Sequence, residues 1–268
     1  QGTIDSLDQW PVFSQVSQQN FFKAHVNPFI AKGQRLFVVI SDALRSECGW
    51  EFFKEMQSET RYEAELEYMI TSLPSYTQLG MAALLPHEQL NILPGQDTVI
   101  ADGFSTQGTS ARTKILEEKS GTRAVATNAE DFMKMNAHGE GREFVKEYNL
   151  IYIYHNRTDK IGDDKTSEDK VFEAVDDEIS YLKDVLKKSS NMNVYNMWVT
   201  SDHGFIYQHE DLEESDFTEA YSTGDVWKTS RRFVIGKQLS GSNATKYFNG
   251  SQIGLTSEVD VLIPKGIN

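Results

Sequence analysis

The chain has 268 residues, 39% of them hydrophobic and 25% charged, the composition of a soluble globular protein large enough for one substantial core. Its formal net charge of -14 excludes broad electrostatic attraction to nucleic acid, because no basic field offsets phosphate repulsion; a nucleic acid held by metals or brought by a partner stays open. A single cysteine, Cys48, excludes an intrachain disulfide and points to a reducing, cytoplasmic setting, and no apolar stretch approaches the length of a membrane span.

The start, Gln1-Gly2-Thr3, has no initiator Met and no signal pattern, as expected of a piece of a longer chain. Residues 1–29, with Val16, Phe21, Phe22 and Val26, predict a lead-in helix before the main domain of residues 30–268. Residues 36–40 are a continuous apolar run, the pattern of a strand buried on both faces. Residues 46–57 predict a helix with Trp50, Phe52 and Phe53 on its apolar side, and Cys48 within it reads as a small packed residue. Loose alternation over residues 62–70 predicts a second strand, and residues 76–85 a helix ended by Pro86.

Residues 98–101 and 124–126 predict short strands, separated by a Gly/Ser/Thr-rich stretch near residues 105–110. Residues 150–154 predict another buried strand. Residues 167–188 carry the clearest helical stripe, Val171, Val175, Ile179, Leu182 and Leu186, with Thr166 as a plausible N-cap. Strands follow at residues 194–200, 232–235 and 259–263. Strands alternating with helices predict a mainly parallel sheet with right-handed crossovers.

Three of these strands end in metal-ligand residue types: Asp42 after the first, His155, Asp159 and Asp163 after the strand at 150–154, and Asp202-His203-Gly204 after the strand at 194–200. In an open α/β sheet ligands bind outside the carboxyl ends of the strands, so these groups belong on one rim. Carboxylate oxygens with imidazole nitrogens suit zinc or manganese. Asp42 alone could equally cap the next helix, and residues 159–163 alone could be a charged surface loop. The run Ser72-Leu73-Pro74-Ser75 leads from a strand into a helix, where a hydroxyl beside a metal becomes a nucleophile. Simple capping by Ser72, Ser75 or Thr77 is the alternative there.

The order of these motifs resembles the alkaline phosphatase superfamily, with Asp42, Ser72, Asp159 with Asp163, and Asp202 with His203 in matching places. More closely, Ser41-Asp42-Ala43-Leu44-Arg45, Leu73 to Met81, Ser201 to Phe205 and Arg231-Arg232-Phe233 resemble the PglZ family of BREX-type phage-defence systems. The resemblance implies a three-layer α/β/α core with a mainly parallel sheet. It also implies a metal-dependent phosphatase or phosphodiesterase acting on a phosphate ester or nucleic acid, beside a methyltransferase and other BREX subunits.

Two divalent cations, zinc or manganese, are then expected: one on Asp42, Ser72, Asp202 and His203, the second on Asp159 and Asp163. Ser72 is the expected nucleophile and Thr77 its substitute if the helix starts a turn later. Arg45 would steady a phosphoryl oxygen or pair with a nearby Glu. Asp163 stands where many members carry His, and no His follows His209, so a last ligand is expected beyond Asn268 and the site is expected to bind metal weakly. A nuclease acting on DNA and a largely non-catalytic scaffold are the rival readings.

Overall fold

The computed structural model describes residues 6–11, 14–155, 171–204 and 222–266. In chain order its strands are β1 (Leu36–Ser41), β2 (Leu90–Ile92), β3 (Val99–Ala101), β4 (Phe104–Ser105), β5 (Ala124–Asn128), β6 (Leu150–His155), β7 (Met197–Thr200), β8 (Ser222–Ser230), β9 (Phe233–Gly241), β10 (Thr245–Asn249) and β11 (Asp260–Pro264). The α-helices are α1 (Asn27–Ala31), α2 (Ser46–Ser58), α3 (Thr77–Ala83), α4 (Gly108–Lys119), α5 (Ala129–Lys134), α6 (Glu140–Glu147) and α7 (Val171–Asn191).

The centre is a parallel sheet in the order β5-β6-β1-β7. Every residue of β1 is buried, and its side chains alternate between two cores, as a two-sided strand requires. Leu36, Val38 and Ile40 enter one core with Leu79, Leu84 and Tyr152. Phe37 and Val39 enter the other with Phe52, Ile153, Ile179 and Leu182. Fully burying each such aliphatic side chain is worth roughly 1.5–3 kcal/mol, so β1 anchors both faces. Helices α2, α5, α6 and α7 cover the second face, whereas α3, α4 and two smaller sheets cover the first. The result is a mixed α/β fold with a mainly parallel sheet among helices, as expected.

Register sets the functional rim. Ser41 is level with His155, and Ile40 with Thr200, so the chain leaves β1, β6 and β7 side by side. Asp42, the residue after β1, donates its N–H to the His155 carbonyl at 2.8 Å and extends that ladder by one rung.

Several local expectations are corrected. Residues 62–70 form no strand: alternation leaves Glu63, Glu65 and Glu67 outward, but only Ile70 finds a partner, through a bridge to Ser17. An alternating pattern makes a backbone extended; a ladder also needs a neighbour. The lead-in region is a series of 3-10, π and α turns, and its Phe21, Phe22 and Val26 enter the main core. In α2 the buried residues are Cys48, Phe52 and Met56, and Trp50 is 44% exposed. The strands expected at 232–235 and 259–263 belong to an antiparallel sheet, order β10-β11-β9-β8, outside the parallel one. Helix α4 escapes sequence reading because it buries only Ile115 and Leu116 and carries no apolar stripe. Among the described residues, no helix is long and apolar enough to cross a membrane.

Candidate metal centre

Three of the expected ligands meet at the rim. One ligand atom each from Asp42, Asp202 and His203 lies within 4.8 Å of the others, and all three residues are buried. His203 Nε2 stands 3.4 Å from Asp202 Oδ2 and 3.7 Å from Asp42 Oδ1. Ligands at about 2.1 Å around a tetrahedral cation stand roughly 3.4 Å apart, so the spacing fits zinc-like coordination.

The imidazole is set for this role by its other nitrogen. His203 Nδ1 lies 2.9 Å from the Gly204 carbonyl, which only an Nδ1–H satisfies. That hydrogen bond leaves Nε2 with the lone pair, the arrangement in which outer partners orient a ligating histidine. The Thr77 hydroxyl lies 3.0 Å from the same Nε2.

Asp202 is held by a turn of unusual backbone. Ala43 has φ +61°, a left-handed conformation that costs a residue with a Cβ, and its N–H donates to Asp202 Oδ1 at 3.0 Å. Oδ2 accepts no hydrogen bond from the described residues. Burial pushes the Asp202 carboxyl up to about 6, against the downward pull of the Ala43 N–H and the Asp42 carboxyl. Two buried carboxylates beside one imidazole nitrogen call for a cation, or else for a proton taken up in its place. The residues present thus fit a divalent metal.

The hydroxyls are sorted by where α3 starts. Its first residue is Thr77, so Thr77, not Ser72, is the hydroxyl at the helix start and in contact with His203. Ser72 is buried at 2% exposure; its N–H is bound by Gln18 Oε1 at 3.0 Å, and its Oγ has no hydrogen-bond partner among the described residues. Arg45 is gripped by Glu47 through Nη2–Oε1 at 2.6 Å and Nε–Oε2 at 3.1 Å, the surface pairing named as its alternative. Arg45, Tyr68 and Thr71 nevertheless line a cleft of about 450 Å³ that opens onto Asp202 and His203.

Asp159 and Asp163 lie outside the described residues, as does His209. His155 is described, and it turns away from solvent: Nδ1 lies 2.8 Å from Glu178 Oε1, and the ring stacks on Tyr181 with centroids 4.2 Å apart. Glu178, fully buried on α7, also accepts the Ser41 hydroxyl at 2.8 Å. Three residues at this rim were missed in the sequence. Gln18 gives no local signal. Gly80, a glycine inside a helical pattern, signals close packing. Glu178 is an acid beside the buried positions Val175, Ile179 and Leu182 of one helix face.

Comparison with known proteins places these motifs in context. The family model for the BREX system PglZ alkaline phosphatase-like domain matches residues 21–268. The chain is 39% identical over 267 residues to the alkaline phosphatase-like protein BrxZ of Escherichia coli O9:H4 (strain HS), covering 97% of the chain and 30% of that protein. It is 32% identical over 264 residues to the alkaline phosphatase-like protein PglZ of Bacillus cereus (strain H3081.97), again covering 97% of the chain and 30% of the relative. The chain thus spans under a third of the length of these relatives.

Proposed function

From the premise that the chain belongs to the PglZ family, we propose that it is a metal-dependent phosphoric-ester hydrolase domain, a phosphatase or phosphodiesterase, of a BREX-type defence system. The observation that carries this reading is the buried trio Asp42, Asp202 and His203, with the Thr77 hydroxyl against its imidazole. The trio would hold one zinc or manganese ion. Asp159 and Asp163 are proposed for a second. A divalent cation supplies neutralisation of a phosphoryl oxygen and a lowered proton affinity for a nearby hydroxyl.

Thr77 Oγ1 is assigned attack on phosphorus because it is the hydroxyl in contact with the ligand set; Ser72 is the alternative. As the Oγ1–P bond forms, the P–O bond to the ester alcohol breaks, the alcohol leaves carrying a proton equivalent to the one Thr77 gives up, and water then hydrolyses the phosphothreonine. Asp202 and Ala43 fix the ligand edge through their mutual hydrogen bond, and the Gly204 carbonyl keeps the His203 proton on Nδ1. The cleft beside Asp202 receives the ester, with Arg45 at its wall proposed to steady a phosphoryl oxygen. The partners proposed are the methyltransferase and other BREX subunits, and the location proposed is the cytoplasm.

Hydrolysis of a chromogenic phosphate ester by the full-length protein, which includes any ligand past Asn268, with zinc or manganese added after chelator stripping, tests the reading. Activity restored by metal and absent in Asp202→Ala supports it. Tight binding of a BREX subunit without turnover at any metal concentration replaces it with a scaffold.

A further inference from the structure

We infer that Gln18 is a positioning residue of the metal centre. Its side-chain amide pins the turn that carries Ser72, and leads into Thr77, onto the loop that carries Asp202 and His203. The inference rests on the reading of Asp42, Asp202 and His203 as cation ligands.

Gln18 is 1% exposed and opens a short 3-10 turn. Its Oε1 accepts the Ser72 N–H at 3.0 Å, while its Nε2 donates to the Asp202 carbonyl at 2.6 Å and the Ser201 carbonyl at 3.2 Å. Both ends of the amide are used in the only workable sense: a flipped amide would face N–H with NH2, and two carbonyls with an oxygen. No other side chain of similar length offers an acceptor and two donors in one plane without charge. The amide is also aimed by a fixed backbone, since the Gln18 N–H donates to the Ile70 carbonyl at 2.9 Å and Ser17 bridges Ile70.

The clamp joins pieces of chain 54 and 184 residues away in sequence. Nothing local in either piece specifies their separation. The Asp202 carbonyl that Gln18 grips belongs to the residue whose carboxylate is a ligand, so the amide sets where that carboxylate starts from. It likewise sets where the turn toward Thr77 starts from. Outer-shell groups of this kind commonly govern metal affinity by about 10–100-fold.

The test uses manganese alone, titrated calorimetrically into the chelator-stripped chain. Gln18→Met keeps the volume and removes the amide; it is expected to weaken manganese binding by about tenfold or more. Gln19→Ala removes a hydrogen bond from the neighbouring residue of the same turn, Gln19 Nε2 to the Ile253 carbonyl at 3.1 Å, without touching Ser72 or Asp202. It is expected to lower the melting temperature and leave affinity within about twofold. If Gln18→Met does not fold, Gln18→Asn, which keeps the uncharged amide but shortens its reach to Ser72 and Asp202, is read the same way. Asp202→Asn separates the two claims. Uptake equal to wild type in Asp202→Asn overturns the ligand assignment and the clamp with it. Loss in Asp202→Asn with Gln18→Met within about twofold of wild type, or equal losses in Gln18→Met and Gln19→Ala, overturns the clamp alone.

Discussion

Gly80 and Asp202 touch backbone to backbone: a Cβ built on Gly80 would overlap the Asp202 carbonyl oxygen and come within 2.7 Å of its carbonyl carbon. Helix α3 therefore approaches the ligand loop only because position 80 has no side chain. The contact is one turn along from Thr77, so the same close approach that needs glycine also brings the hydroxyl to His203.

Gly80→Ala is expected to force the helix and the loop apart. Backbone atoms cannot yield as a flexible side chain would, and overpacking of this kind costs about 1–3 kcal/mol. The expected outcome is a lower melting temperature together with weaker metal uptake. A variant that melts lower yet binds zinc or manganese as wild type does would show that the approach is structural only.

Metal uptake itself is expected to depend on the trio. A chelator-stripped sample titrated with zinc or manganese should bind through Asp42, Asp202 and His203, and saturation should raise the melting temperature; a hundredfold excess over Kd adds about 2.7 kcal/mol. Asp202→Ala should abolish both effects. Equal uptake by the variant would place the ion elsewhere.

How much of this was legible follows from the range of each interaction. The continuous apolar run of β1 predicts its own burial, because both neighbours and both faces demand the same residues. Asp42 and the Asp202-His203 pair were legible because each follows directly on such a strand, and register does the rest. Which hydroxyl sits at the helix start was harder: it depends on the first residue of α3, a boundary that propensity leaves loose. Gln18 was invisible, since an amide linking residues 54 and 184 positions away leaves no periodic trace. Alternation over residues 62–70 misleads because it reports extended backbone and not whether a partner strand exists.

The raised Asp202 carboxyl predicts a pH dependence of defined sign. Its folded value of about 6 lies above the ordinary 3.8, so between these limits the native metal-free chain holds a proton that the unfolded chain has lost. The stabilisation is complete below about pH 3.8 and is lost as pH rises through about 6. Metal competes for the same carboxylate, so affinity should climb over that window and level off above it. Melting curves of metal-free wild type and Asp202→Asn across the window check this. Asp202→Asn stands in for the neutral carboxyl, so wild type should match its pH trend at the low end, lose stability relative to it as pH rises through about 6, and hold a constant difference above; a difference that does not change with pH would contradict the assignment.

The two hydroxyls are separated by single substitutions. Thr77→Ala is expected to reduce ester hydrolysis about a thousandfold, equivalent to roughly 4 kcal/mol of transition-state stabilisation, with little change in melting temperature. Ser72→Ala is expected to retain turnover, because its unpartnered buried Oγ touches none of the ligand atoms through a hydrogen bond. The reverse pattern would return the nucleophile to Ser72.

Glu178 carries the last prediction. Its carboxylate is fully buried and accepts from His155 and Ser41, each at 2.8 Å through the same Oε1. Those two residues are level with one another at the carboxyl ends of β6 and β1, and Ser41 directly precedes Asp42. The acid on α7 thus ties the two central strands together where the ligands begin. Glu178→Ala would leave an imidazole N–H and a hydroxyl buried without an acceptor, and each such unsatisfied buried group typically costs about 1–3 kcal/mol. A matching fall in denaturation midpoint at unchanged slope is the expected result. Glu178→Gln keeps one acceptor oxygen and should recover part of the loss, with metal uptake following the same order. If Glu178→Ala melts far below wild type but binds manganese with wild-type affinity, the helix supports the sheet without setting the position of Asp42.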